Sequence, residues 1–119
     1  MTTTATIADL DAQLAAALEL PEGSDADVAI ETASIALIAA ILRAHVPAAR
    51  HMLLDWSCQG PHHEAEDITD AEGNSLYEAV DAEAPYVMTL ATNLRGEIND
   101  RFEAINADGG VYRVDLSNF

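Results

Sequence analysis

The sequence predicts a mainly α protein, a small helical bundle of three main helices plus short helices with a minor C-terminal β element, and α+β as the alternative. Three observations carry that reading. Half of the 119 residues are apolar while aromatics make up only 5%, which leaves burial to Leu, Ile, Val and Ala on closely packed helices. Apolar residues recur at steps of three and four in three long stretches. Prolines and glycine pairs punctuate those stretches, and the length suits one domain over residues 1–119 with one core.

Taken in order, residues 1–5 are expected to fray, and a first helix runs from about Thr6 to Leu20 with Ile7, Leu10, Leu14, Ala17 and Leu18 on one face. Pro21 ends it. Ser24 is placed to cap a second helix, with Asp25 and Asp27 in its first turn. From Val28 to Leu42 this helix is apolar around nearly its whole circumference, interrupted by Glu31, Thr32 and Ser34, so it is expected at the centre of the fold. Arg43 and His45 suit its negative end, and Pro47 breaks it.

A short third helix is expected from Ala48 to about Ser57, on the shared face of Met52, Leu53 and Trp56. Residues 59–75 read as an acidic, exposed loop holding one very short strand, Asp67 to Asp70, before a turn. A helical turn or two is expected over Leu76–Glu83. The last helix is expected from Pro85 to Asn106, on the stripe Val87, Leu90, Ala91, Leu94, Ile98, Phe102 and Ile105, with Gly96 marking a close helix crossing. Residues 111–116 alternate like a strand, whose partner is the Ile68 segment, its own copy in a homodimer, or another protein.

Charge is the least ordinary feature. The formal net charge is −16, and the five cations are all arginine. Direct nucleic-acid binding and an anionic membrane surface are both disfavoured, because each needs a cationic face. Residues 1–42 carry seven acids and no cation, and residues 64–83 carry eight acids and no cation. Two such blocks are explained by solubility in a genome-wide acidic background, by an interaction surface for a basic protein, or by a cation site. Imitation of the phosphate array of DNA is the sharpest form of the second.

Residue types that bind zinc gather in one stretch: His45, His51, Cys58, His62 and His63 lie within nineteen residues. Cys58, His62 and His63 form the candidate metal set, although no second ligand pair completes a structural zinc motif. Cys58 stands alone, so no internal disulfide forms and a reducing cytoplasm fits. The N-terminal residues lack the pattern of a secretory signal, and the 28–42 stretch is short for a membrane span. No nucleophile elbow, nucleotide loop or calcium-loop match occurs, and no residue is assigned a catalytic role.

The expected function is therefore non-enzymatic: an acidic protein-binding module, with an inhibitor or DNA mimic docking on a basic nucleic-acid-binding protein as its most specific form. The expected contact residues are Glu64, Glu66, Asp67, Asp70, Glu72, Glu78, Asp81 and Glu83. No cofactor is expected on this reading. The alternatives are a small zinc protein using the Cys58, His62 and His63 set, or an oligomeric assembly subunit with acidity as background.

Overall fold

The computed structural model describes residues 7–55, 64–94, 98–106 and 110–119. It shows an α+β fold: a helical layer on one face of a four-stranded antiparallel sheet of order β2-β1-β4-β3. The mainly helical bundle is corrected on this point, since two stretches that carry a helical apolar period are strands or end in one.

The two N-terminal helices follow their sequence signals. α1 spans Ile7–Leu18 and buries Leu10, Leu14 and Ala17 against α2, which spans Ser24–His45. Ser24 is the first helical residue and not the cap; the cap position falls on Gly23, whose φ of 149° side-chain-bearing residues rarely adopt. Its carbonyl accepts the Asp27 N–H at 3.0 Å. Ile35, Leu37, Ile38 and Leu42 are fully enclosed, which makes α2 the centre of the core as its all-round apolarity requires.

After the turn at Pro47 and Ala48 the chain enters β1, His51–Asp55, in place of the expected 48–57 helix. β1 pairs on one side with β2, Glu64–Thr69, and on the other with β4, Val111–Asp115. β3, Glu103–Asn106, forms the edge beyond β4. Register sorts the side chains: Met52, Ile68 and Val114 share a row that is buried under the helices, while Asp67, Leu53, Arg113 and Glu103 share one on the opposite face. Leu54 is also buried on the core side, so one hydrophobic cluster joins helices and sheet.

β4 is thus an interior strand with a neighbour on each side, which removes it as the strand of a homodimer or as an edge awaiting another protein. Its neighbours are β1 and β3, not the Ile68 segment. That segment is longer than expected, six residues instead of a brief extension, so the 59–75 loop is corrected to β2 and a tight turn over its described part.

α3, Tyr77–Glu83, matches its expected position and buries Val80. The long last helix does not form. α4 covers only Tyr86–Ala91, and after a 3₁₀ turn at Asn99–Arg101 the chain becomes β3. Val87, Leu90, Ala91, Leu94, Ile98 and Phe102 are all buried as their spacing implies, but Ile105 is 49% exposed. Polar anchors from α2 draw this segment out of helical geometry: Ser34 Oγ accepts from Asn93 Nδ2 at 3.1 Å, and Glu31 Oε2 accepts from the Ile98 N–H at 3.1 Å. Gly96, expected at a helix crossing, lies outside the described residues.

Candidate functional site

The second acidic block occupies one margin of the fold. β2 is an edge strand, α3 packs against it, and the seven residues 70–76 connect the two. Glu66 is the extra residue of a β-bulge in β2: Leu53 pairs with Asp67 and Leu54 with Ala65, so Glu66 has no partner residue on β1 and is exposed. A charge on a bulged edge discourages further strand pairing. Glu72 is exposed in the turn, and Glu78, Asp81 and Glu83 are exposed on α3, where Val80 is the buried residue.

Asp67 and Asp70 differ from these because the fold uses them. Asp67 Oδ1 accepts the Ser75 hydroxyl at 2.7 Å and the Ile68 N–H at 2.8 Å. Asp70 Oδ1 accepts the N–H groups of Glu72 at 3.0 Å and Asn74 at 2.9 Å, and Oδ2 accepts from Asn74 Nδ2 at 3.2 Å. Gly73, with φ 87°, closes the turn by donating its N–H to the Asp70 carbonyl at 3.1 Å. The Asn74 backbone N–H, then the Asn74 side chain, hold the Asp70 carboxyl below its ordinary pKa. Glu64 begins β2 opposite Asp55; its side chain lies outside the described residues, as do Cys58, His62 and His63 entirely.

The side chains of the four described arginines are engaged with other residues. Arg50 Nε donates to Asp115 Oδ1 at 2.9 Å, and Arg113 Nη2 to Glu103 Oε2 at 2.6 Å. Arg43 donates to the Leu116 carbonyl at 3.1 Å and to that of Phe119, and Arg101 lies over the Phe119 ring at 5.0 Å. All four serve the segment from β3 to the last residue, and among the described residues none forms an ion pair with the 64–83 block. The Arg50 side chain, followed by the Ser117 hydroxyl, holds the Asp115 carboxyl well below the usual carboxylate range, and Asp115 in turn raises the Arg50 guanidinium.

A second surface went unread in the sequence. Between α1 and α2 lies an open cleft of about 480 Å³. Gln13, Ala16 and Leu20 form one wall, and Val28, Ala29 and Thr32 the other. The signal was present in part, because Gln13 and Ala16 are three apart on α1, and Val28 and Ala29 precede Thr32 by four and three on α2, while Leu20 follows just past the end of α1. Leu20 and Val28 remain 46% and 40% exposed.

Among the described residues no group of three His, Cys, Asp or Glu side chains is placed to hold a metal ion, and no helix is long and apolar enough to cross a membrane. Comparison of the chain with protein-family models, with curated proteins and with solved structures gives no match.

Proposed function

We propose that this is a non-enzymatic acidic module of the reducing cytoplasm, docking through the β2–α3 margin on a basic surface of another protein. The observation that supports it is segregation of charge: Glu66, Glu72, Glu78, Asp81 and Glu83 are exposed along this margin, while the described arginines are engaged at the C-terminal segment. A patch of one sign, with no counter-charge paired to it among the described residues, raises the association rate of an oppositely charged partner and sets which partners are repelled. The most specific form of the reading is an inhibitor that takes the place of a phosphate array on a nucleic-acid-binding protein.

Asp67 and Asp70 leave the set of free contact residues, since their oxygens already accept hydrogen bonds that shape the turn. The test therefore uses the other positions. Immobilised chain is exposed to extract of its host at low and high salt, beside a variant carrying Glu66→Lys, Glu78→Lys, Asp81→Lys and Glu83→Lys. A basic protein captured at low salt, released at high salt and lost with the variant, whose circular dichroism is unchanged, is the expected result. Competition between the chain and DNA for that protein identifies the inhibitor form. Capture that survives the four reversals, or no capture, overturns the reading.

A further inference from the structure

We propose that the cleft between α1 and α2 is a docking groove for a basic amphipathic helix of another protein. It lies on different elements from the β2–α3 margin, so it goes beyond the function proposed above and stands on separate observations.

The first observation is shape. On the α2 side the cleft runs from Asp25 to Ala36, three helical turns or about 16 Å at 1.5 Å per residue. Half of its lining residues are alanine, and one-carbon side chains let a third helix approach α1 and α2 closely. The second is exposed apolar surface in the right place. Leu20 and Val28, on opposing walls, leave nearly half their area in water although the fold has a large core to bury them in. Among the described residues α1 packs chiefly on α2.

Charge selects the occupant. Asp25 lines the cleft and Glu22 stands at the adjoining mouth, where Leu20 and Asp25 are shared between the two hollows. Residues 7–42 contain no cation at all. A second copy would bring the same carboxylates and another net charge of −16 against this surface, an arrangement that like-charge repulsion opposes. A helix with a leucine stripe flanked by Lys or Arg satisfies both parts: its stripe covers Leu20, Val28 and the alanines, and its cations meet Asp25 and Glu22. Gln13 and Thr32 supply side-chain hydrogen-bonding groups along the same groove.

The test uses a labelled synthetic peptide of Leu and Lys arranged as an amphipathic helix, a scrambled peptide of the same composition, and a Leu and Glu counterpart. Fluorescence anisotropy reads binding and amide chemical shifts locate it. The ordered Leu and Lys peptide is expected to bind best and to shift Ala16, Val28 and Thr32. Leu20→Lys with Val28→Lys is expected to weaken it at least about ten-fold, a loss of roughly 1.4 kcal/mol, with thermal unfolding nearly unchanged because both side chains are so exposed. Asp25→Asn weakens it less and reduces the salt dependence. Glu78→Lys with Asp81→Lys, measured at high salt, weakens it far less than the Leu20 and Val28 pair and leaves the shifts of the groove residues in place, which keeps this result separate from the fate of the β2–α3 margin. Equal binding of the scrambled peptide, shifts confined to residues 64–83, or no binding overturns the proposal. So does concentration-dependent dimerisation that shifts the groove residues without peptide, which would assign the groove to a second copy.

Discussion

Glu31, fully enclosed in the middle of α2, accepts the backbone N–H of Ile98 at 3.1 Å across sixty-seven positions of sequence. A carboxylate has no place in an apolar helix face without partners, because an unsatisfied buried polar group is costly. Glu31 thereby fixes where the chain arrives before β3. Glu31→Leu leaves the Ile98 N–H without this acceptor and is expected to destabilise the protein by about 1–3 kcal/mol, while Glu31→Gln, which keeps a carbonyl oxygen, costs less. Urea unfolding of the two variants measures the difference; equal loss from both would show that the hydrogen bond is not the reason the residue is there.

The same pair explains why one part of the fold was legible and another was not. α1, α2 and α3 are local structures, and apolar spacing with flanking turn residues defines them without reference to distant sequence. The 85–106 stretch has equally good helical spacing, and the residues of its apolar stripe from Val87 to Phe102 are indeed buried. Its conformation is decided instead by Glu31 and Ser34, sixty residues away, which appear in the sequence only as interruptions of an apolar run. The candidate acidic margin was legible as composition; which of its acids are free and which hold the turn depends on hydrogen bonds formed after folding.

β1 illustrates the complementary failure. Met52, Leu53 and Leu54 form a short apolar run, and such a run fits a helix or a strand equally well until its neighbours are known. In the sheet, Met52 and Leu54 are buried on one side while Leu53 is half-buried on the other. Truncation should reproduce that alternation. Met52→Ala and Leu54→Ala are each expected to cost about 2–5 kcal/mol, and Leu53→Ala clearly less. A helix presenting Met52 and Leu53 on one face would give large losses at 52 and 53 together, so denaturant titration of the three variants distinguishes the two structures.

The Arg50–Asp115 pair predicts a pH dependence. Asp115 has a carboxyl pKa well below that of the unfolded chain, so the folded state binds its proton less readily than the unfolded state does. The stabilisation is present above the unfolded value, near about 4, and fades as pH falls from there toward the folded value. The gap in melting temperature between the native chain and Asp115→Asn is therefore expected to be constant near neutrality and to narrow below that point. The gap stays small, since both side chains are substantially exposed. A gap that persists unchanged into strong acid would remove Asp115 ionisation as its source.

The acids of the β2–α3 margin fall into two groups whose neutralisation should move stability in opposite directions. Asp70 accepts three hydrogen bonds in the 70–74 turn, and its lowered pKa means that the charged form is the one the fold binds. Asp70→Ala should therefore lower the melting temperature. Asp81 and Glu83 are exposed on α3 and lie toward its C-terminal end, where the helix dipole is negative and an anion is unfavourable. They also add to the self-repulsion of a chain with a net charge of −16. Asp81→Asn with Glu83→Gln should raise the melting temperature, and the gain should shrink as salt is added, because screening already relieves the native chain. Salt should leave the loss caused by Asp70→Ala largely in place, since those hydrogen bonds act at contact distance. Calorimetry of both variants across a salt series decides the matter: a loss from Asp81→Asn with Glu83→Gln would mean that these carboxylates hold the fold together and are not free to meet a partner.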